Sequence, residues 1–361
     1  MNIKKVRLLE NSYDVCGGSE KECGMKFIYD ATTPRGKCPI FKPLLSNKCS
    51  FDCKYCVNSV KIRKTNLSFE PQELAKIFIL MQKKYKLHGL FLSSAVEKDA
   101  EKTTEKMIET VRLIREKYNY QGYIHFKILP GTSYDQIKQA TQYANRLSIN
   151  IETPNKSRLN ELSTTKDFKI DLLRRQAWIK KLHKNQTTQI IIGAGDETDW
   201  EILKMVDWEY KNLGIKRIYF SGFKSIKGIE LKRKDCDKAR KNRLYNIDFL
   251  IRKYNIRLKD IKEIMIGGML PEEDPKLALA RLKLENPIEI NEASYDELLT
   301  IPGIGPKSAG KIIQLRTKVK IKKYSQLHSI GIKINRAKPF IKVDGKWQEQ
   351  LNHFCKPPII S

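Results

Sequence analysis

FKPLLSNKCSFDCKYC, residues 41–56, is the most informative stretch of this sequence, because it joins a candidate β-strand to three closely spaced cysteines. Thiolates at Cys49, Cys53 and Cys56 could hold three irons of a four-iron cluster and leave the fourth iron open for a substrate or cofactor. A structural zinc site normally has four ligands, and no second cysteine or histidine pair follows at zinc-finger spacing. Zinc with Cys38 as a further ligand, or inert packed thiols, remain as alternatives.

The protein has eight cysteines, and six of them precede residue 57. The first 14 residues contain charged side chains and no long apolar run, so we expect no export signal and favour metal or redox chemistry over disulfides. Cys16, Cys23 and Cys38 could supply a second cluster or a zinc site. Cys236 and Cys355 are isolated in the sequence.

Short apolar runs alternate with helix-like segments, which predicts an α/β fold with a parallel sheet, either a partial barrel or a doubly wound sheet. The strand candidates are Phe41–Leu45, Gly89–Ser94, Tyr123–Leu129, Leu147–Glu152, Gln189–Gly193 and Arg217–Ser221. The helix candidates between them are Pro71–Lys86, Glu101–Tyr118, Ser133–Asn145, Leu172–His183 and Asp199–Leu213.

Several of these strands alternate apolar and polar residues. Ile124, Phe126 and Ile128, for example, alternate with His125 and Lys127. A strand places successive side chains on opposite faces, so each such strand has one apolar and one polar face. Helices covering the apolar faces would leave the polar faces inside the barrel, where they are costly unless they bind something. An antiparallel sheet with one solvated face is the alternative.

Composition and charge limit the function classes. The chain has 361 residues, 69 Lys and Arg against 41 Asp and Glu, a formal net charge of +28 and a pI of about 9.7. This balance favours a polyanionic partner, although a lysine-rich base composition of the genome would also raise it. The mean hydropathy is −0.50 and no apolar run approaches about 18 residues, so we expect no membrane span and a cytoplasmic protein.

The cysteine spacing, with the aromatic Tyr55 before Cys56, resembles the signature of the radical S-adenosylmethionine superfamily. The resemblance implies a partial (β/α)6 barrel whose four-iron (4Fe-4S) cluster is held by Cys49, Cys53 and Cys56. The open iron would then chelate the amino and carboxylate groups of S-adenosylmethionine. An external reductant such as flavodoxin or ferredoxin is implied as well.

Further superfamily motifs match more loosely. Ser93 and Ser94 stand where the superfamily has a glycine-rich, acidic segment that contacts the methionine amino group. Glu152 stands where a polar residue often binds the ribose. The run Gln189–Asp196, which includes Gly193, resembles the superfamily's GxIxGxxE segment near the adenine, with Gln and Asp substituted. Turn residues, helix caps or surface ion pairs are the structural alternatives for these positions.

The inward-facing residues of the third candidate strand are candidates for catalysis. We expect His125 and Lys127 to steer the substrate or move protons while the barrel excludes water. A hydrogen-bonded polar network inside the barrel is the alternative.

A second motif lies near the C-terminus. Asn291 is a candidate N-cap for a helix to Leu299, and the tight turn PGIG at 302–305 precedes a second helix that starts near Pro306. This resembles a helix-hairpin-helix motif, and a weaker copy occupies residues 327–338. Free backbone N–H groups at such a hairpin suit phosphate, and the candidate contacts are Gly303, Gly305, Lys307, Ser308 and Lys311. A helical unit that only packs against protein is the alternative.

The combination of both motifs resembles a family of radical S-adenosylmethionine enzymes assigned to DNA modification or repair, some associated with uracil-glycosylase-like proteins. The implied fold is a partial (β/α)6 barrel followed by a small all-α helix-hairpin-helix domain that binds DNA. Modification of tRNA or a peptide, or a non-catalytic DNA-binding iron–sulfur redox sensor, are the alternatives. The expected parts are an N-terminal segment with extra cysteines (1–40), the barrel (41–231), a helical extension (232–285), the helix-hairpin-helix unit (286–346) and a tail (347–361).

Overall fold

The computed structural model describes residues 27–33, 36–62, 66–225, 228–229 and 231–347. Cys16, Cys23 and most of the expected tail lie outside these residues. The described chain packs into two compact units. The first contains the residues up to Glu197 together with Lys204–Lys241, and the second contains Thr198–Leu203 and the residues from Asn242 onward. No helix in the described ranges is long and apolar enough to cross a membrane.

The first unit contains a seven-stranded sheet whose strands follow one another in chain order. The first two strands form an antiparallel hairpin, and every later neighbour pair is parallel. Six parallel strands in sequential order form the curled half-barrel that the strand–helix alternation predicts, so the fold class is confirmed. The strands are β1 (Ile28–Thr33), β2 (Gly36–Phe41), β3 (Gly89–Leu92), β4 (Tyr123–Lys127), β5 (Arg146–Ser148), β6 (Gln186–Ile192) and β7 (Arg217–Gly222).

Helices connect the parallel strands. They are α1 (Pro71–Tyr85), α2 (Ala100–Glu116), α3 (Tyr134–Tyr143), α4 (Lys156–Leu162), α5 (Arg174–Leu182) and α6 (Asp199–Trp208). Their starts follow local chemistry: the Asp99 and Ser133 side chains accept hydrogen bonds from the first-turn N–H groups of α2 and α3. A π-helical turn, Phe168–Leu173, precedes α5, and another, Glu209–Leu213, continues α6.

The facing of β4 agrees with the sequence pattern. Ile124 and Phe126 are fully buried and absent from the described lining of the cavity to which Lys127 belongs. Ile128, just beyond the end of β4, is fully buried as well but lines the same cavity, so the alternation holds only within the strand.

The later expected strands differ from the structure mainly at their ends, but the first one is misplaced. β2 runs from Gly36 to Phe41 and shares only Phe41 with the expected strand Phe41–Leu45, and within that expected range only Leu44 forms a further bridge, an isolated one to Ser93.

A buried carboxylic acid, Glu209, lies in the π-helical turn after α6. Its Oε2 accepts a hydrogen bond from Gln176 Nε2 at 3.3 Å, while its Oε1 has no partner among the described residues. Burial raises the pKa of Glu209 to about 8. Between the ordinary value of 4.5 and about 8, the folded protein therefore holds a proton that the unfolded chain has lost, and stability falls as pH rises through this window.

We expect Glu209→Gln to raise the melting temperature at pH 8 by several degrees and to change it little near pH 5, since one pKa unit corresponds to about 1.4 kcal/mol. The new amide would remain uncharged and could also donate to Gln176 Oε1, which has no partner among the described residues. Thermal unfolding followed by circular dichroism from pH 5 to 8.5 measures this. The exposed Glu105→Gln variant on α2 is the control. If the melting temperatures of Glu209→Gln and the wild type depended on pH in the same way, the raised pKa of Glu209 would be contradicted.

The second unit is mainly helical. Most of α7 (Lys238–Tyr254) belongs to it, followed by α8 (Leu258–Lys262), α9 (Pro275–Lys283), α10 (Tyr295–Thr300), α11 (Pro306–Arg316), α12 (Tyr324–Ser329) and α13 (Ile334–Ala337). It is not purely α-helical, because β8 (Ile288–Glu289) pairs in parallel with β9 (Ile341–Lys342). A core that includes Leu298, Ile304 and Ile312 holds the helices together.

The expected N-cap at Asn291 is wrong. Ser294 caps α10 instead, in a capping box with Glu297. The amide of Asn291 bonds both backbone groups of Ile321, with Nδ2 donating to the carbonyl at 2.9 Å and Oδ1 accepting from the N–H at 2.9 Å. Asn291 therefore ties the segment before α10 to the segment after α11.

Candidate functional site

The cysteine loop follows β2 and is held against the segment that follows β3. Leu45 N donates to Ser93 O, Ala95 N to Ser46 O and Ser50 N to Val96 O, each at 2.8 Å. These bonds extend the sheet contact beyond the last paired residues and bring the loop to the carboxyl ends of the strands. Parallel α/β sheets bind their ligands at this end.

Cys49, Cys53 and Cys56 line one cavity, and none of them forms a disulfide. Cys53 is buried, and the backbone N–H of Asn58 lies 3.4 Å from Cys56 Sγ. Burial, followed by the neighbouring Cys53, raises the pKa of Cys56 to about 12. A thiol in this position becomes a thiolate readily only when a positive group binds it, as a metal centre would.

A buried lysine that the sequence motifs do not indicate lies beside the cysteines. Lys166 Nζ donates to Tyr55 Oη at 3.2 Å and lies 3.7 Å from Glu152 Oε1, and both charged side chains are nearly buried. Burial alone would lower the pKa of Lys166, but the neighbouring Cys53 and Glu152 side chains outweigh it and raise that pKa. The ammonium group therefore offers a fixed positive charge at the cavity.

The cavity also gathers five of the remaining candidate residues. Its lining includes Tyr55, Ser93, Ser94, Lys127 and Glu152. Glu152 has a φ of +62°, an uncommon left-handed conformation for a residue other than glycine, and its backbone N–H donates to Gln189 O at 3.0 Å. Strained backbone of this kind often occurs at functional sites.

Three other candidates are placed differently. The described lining does not include His125, Gly193 or Asp196. His125 is buried, with Nε2 2.8 Å from Ser148 Oγ and its ring against the edge of Phe91. These contacts hold the His125 ring between Phe91 on β3 and Ser148 on β5.

The GxIxGxxE-like segment bends around a neighbouring carboxylate. Asp196 is exposed and forms a bidentate ion pair with Arg233. Glu197, which the motif comparison passed over, is the buried carboxylate of this segment, and it accepts hydrogen bonds from the backbone N–H groups of Gly193 at 2.6 Å and Gly195 at 3.0 Å. Glu197 therefore holds the turn after β6 in shape.

The donor set fits an iron–sulfur cluster in its chemistry, because three cysteine side chains line the same cavity and soft thiolates are the ligands of such clusters. Within the described ranges, no group of three His, Cys, Asp or Glu is arranged to hold a single metal ion. Two buried polar atoms of lining residues, Asn58 Oδ1 and Gln189 Oε1, have no hydrogen-bond partner among the described residues. Such groups are costly unless a ligand pairs with them.

The C-terminal hairpin has the geometry that its glycines suggest. Gly303 has a φ of +86°, and a Cβ there would lie 2.7 Å from the carbonyl oxygen of Lys333. Gly305 is the N-cap of α11 and Pro306 occupies its first position. Below the turn, the buried Lys276 donates to the Ile304 carbonyl, and burial lowers the pKa of this lysine to about 7.

The segment from the hairpin to the last described residue also has an excess of positive charge. Residues 303–347 contain twelve Lys and Arg residues and a single acidic one, Asp344. Lys307 and Lys311 are exposed on one face of α11, while Ser308 between them is half-buried. A second turn, with Gly331 at a φ of +87°, precedes α13.

Comparison with known proteins gives two domain matches. The Radical SAM superfamily model matches residues 44–208, and the helix-hairpin-helix motif model matches residues 284–338. No curated protein matches the chain at a significant level.

Part of this chain is similar to several solved structures of low sequence identity. They include the [FeFe]-hydrogenase maturase HydG from Carboxydothermus hydrogenoformans (15% identity, TM-score 0.49, 59% of this chain and 51% of that one). Methylornithine synthase is similar at 15% identity (TM-score 0.48, 59% and 61%). SuiB from Streptococcus suis, bound to S-adenosylmethionine, is similar at 13% identity (TM-score 0.48, 59% and 47%). The match spans about half to three fifths of the length of these chains.

Proposed function

We propose that the protein is a radical S-adenosylmethionine enzyme, since the model of that superfamily matches residues 44–208, and that its substrate is DNA. The family implies a 4Fe-4S cluster and S-adenosylmethionine. The observation that carries the DNA assignment is the helix-hairpin-helix match over residues 284–338 together with the basic segment that begins at its hairpin. Residues 303–347 contain twelve basic residues and one acidic residue, whereas residues 284–302 contain five acidic residues and no basic one. Backbone N–H groups at the hairpin and the surrounding lysines suit phosphates of either strand, independently of sequence.

Cys49, Cys53 and Cys56 are the residues that would hold the cluster. When bound, the cluster and S-adenosylmethionine supply one-electron cleavage of the cofactor to methionine and a 5′-deoxyadenosyl radical, which abstracts a hydrogen atom. Ser93, Ser94 and Glu152 are in position for the polar groups of the cofactor, because they line the same cavity as the cysteines.

The chain's own contribution is to bind, orient and exclude water. Lys127, Asn150 and Gln189 are polar residues of the cavity lining, and their side chains carry an ammonium group and two amides. These groups can orient a polar substrate such as a nucleobase, which must leave a duplex to enter the barrel. We propose that Lys127 touches the substrate directly and that His125, bonded to Ser148, supports the barrel wall beside it.

The test is turnover by anaerobically reconstituted protein with S-adenosylmethionine, a chemical reductant and deuterated duplex DNA, single-stranded DNA, RNA or peptide pools. We expect 5′-deoxyadenosine to accumulate faster with DNA and to carry deuterium from it. If 5′-deoxyadenosine took up deuterium only from the RNA or only from the peptide pool, that molecule and not DNA would be the substrate. DNA binding without any 5′-deoxyadenosine would favour the redox-sensor alternative. A flavodoxin or ferredoxin donor and a uracil-glycosylase-like partner stay predictions.

A further inference from the structure

Asp52 is the acidic residue of the cysteine loop and lies between its first two cysteines. Its carboxylate accepts hydrogen bonds from three consecutive residues that follow α4. Ser163 Oγ and Thr165 Oγ1 each donate to Oδ1 at 2.8 Å, and Thr164 Oγ1 donates to Oδ2 at 2.5 Å. The single backbone N–H of Thr164 is shared between the two oxygens, at 3.1 and 3.2 Å. Water would supply the donors to an exposed carboxylate, whereas the buried Asp52 receives them from the protein.

The contact fastens the cysteine loop on both sides of Cys53. On one side is the Asp52 carboxylate, and on the other Lys54 N donates to Leu162 O at 2.9 Å. Ser163 Oγ also lies 3.8 Å from Cys53 Sγ. Residues 162–166, which we call the strap, therefore hold the second cysteine at a fixed place in the cavity wall.

The same strap carries Lys166 to the cavity. The ammonium group lies 5.7 Å from the ring centre of Phe51 and 5.8 Å from that of Tyr55, two residues of the cysteine loop. Asp52 thus fixes one end of a connected unit whose other end is a buried cation. The strap is 111 residues from Tyr55 in sequence, so only the fold joins them.

We propose that Asp52 is a positioning residue that, through the strap, sets how firmly the cluster is held and at what potential it is reduced. This rests on the proposed cofactor but not on the identity of the substrate. Hydrogen bonds to the sulfurs, nearby charge and solvent exposure set the potential of an iron–sulfur cluster. The Asp52 carboxylate adds a negative charge and occupies the Ser163 hydroxyl, which could otherwise donate to the Cys53 thiolate. Both effects keep the potential low.

The test compares Asp52→Asn with the wild type in the absence of S-adenosylmethionine and nucleic acid. We expect the variant to lose its cluster several-fold faster in a chelator, followed by visible absorbance, and to have a less negative midpoint potential in an EPR-monitored redox titration. Asp167→Asn is the matched control, since Asp167 lies just beyond the strap and caps a π-helical turn through Ile170 N, which asparagine can also do.

Thr164→Val keeps the Asp52 charge and removes one donor, so it separates loop fastening from charge. We expect faster cluster loss with an unchanged potential, in a protein whose circular dichroism matches the wild type. This variant decides the matter if Asp52→Asn does not fold or takes up no iron. If Asp52→Asn lost its cluster at the wild-type rate and had the wild-type midpoint potential, the positioning role would be overturned while the proposed function stayed intact. Absence of iron from the wild type would overturn both.

Discussion

Cys56→Ala is expected to abolish the iron–sulfur absorbance of the anaerobically reconstituted protein and to reduce formation of 5′-deoxyadenosine to background. Loss of an outer partner of a metal ligand typically costs about 10–100-fold in metal affinity or activity, so loss of a ligand should cost more than about 100-fold. Cys56 lies in the same cavity lining as Cys49 and Cys53, and no fourth cysteine is present in that lining as described. Iron analysis and chromatography of the nucleoside product measure the two effects.

Cys38→Ala is the matched control for this substitution. Cys38 lies on β2, paired with Ala31 in the antiparallel hairpin, and is not part of the described cavity lining. We expect this variant to keep its iron and its activity. Loss of iron from Cys38→Ala would restore the alternative in which Cys38 is a ligand, and full iron in Cys56→Ala would remove the cysteine loop as the cluster site.

The parallel part of the fold could be predicted because its signals are local. β3, β4, β6 and β7 each contain an apolar or alternating run next to a helix of regular period, and those patterns depend on residues a few positions apart. β2 lies almost entirely before the strand expected there, and β5 keeps only two of its expected residues. β1 was missed, since its sequence, IYDATT, has little apolar character and its stability comes from pairing with β2. α4 was missed because it has only seven residues and buries two, Leu159 and Leu162.

The site residues also divide into those with a local sequence signal and those without one. The cysteines follow a fixed short spacing and could be identified directly, whereas Lys166 and Asp52 act through partners more than a hundred residues away. No periodicity or short motif encodes such contacts, which exist only after the strap has folded against the loop. The error at Asn291 has a similar cause, because a distant backbone segment, Ile321, takes the hydrogen bonds that a local cap would have used.

Lys307→Ala with Lys311→Ala is expected to weaken DNA binding by roughly tenfold or more and to reduce the slope of log affinity against log salt by about 2, one for each phosphate contact. Both lysines are exposed on α11, so their removal leaves the core of the unit in place. They are a better test than Gly303→Val, because a side chain at Gly303 would meet the Lys333 carbonyl and damage the hairpin itself. Fluorescence anisotropy with a labelled duplex at several salt concentrations measures both effects.

Lys76→Ala with Lys83→Ala on α1 removes the same charge from exposed positions of the barrel. We expect this pair to bind DNA within about twofold of the wild type, since general attraction by a strongly basic protein depends on the total charge and a loss of 2 from +28 is small. Equal weakening by the two pairs would mean that net charge alone attracts DNA. Unchanged binding and slope in the α11 pair would assign the hairpin lysines to the solvated surface of a packing unit.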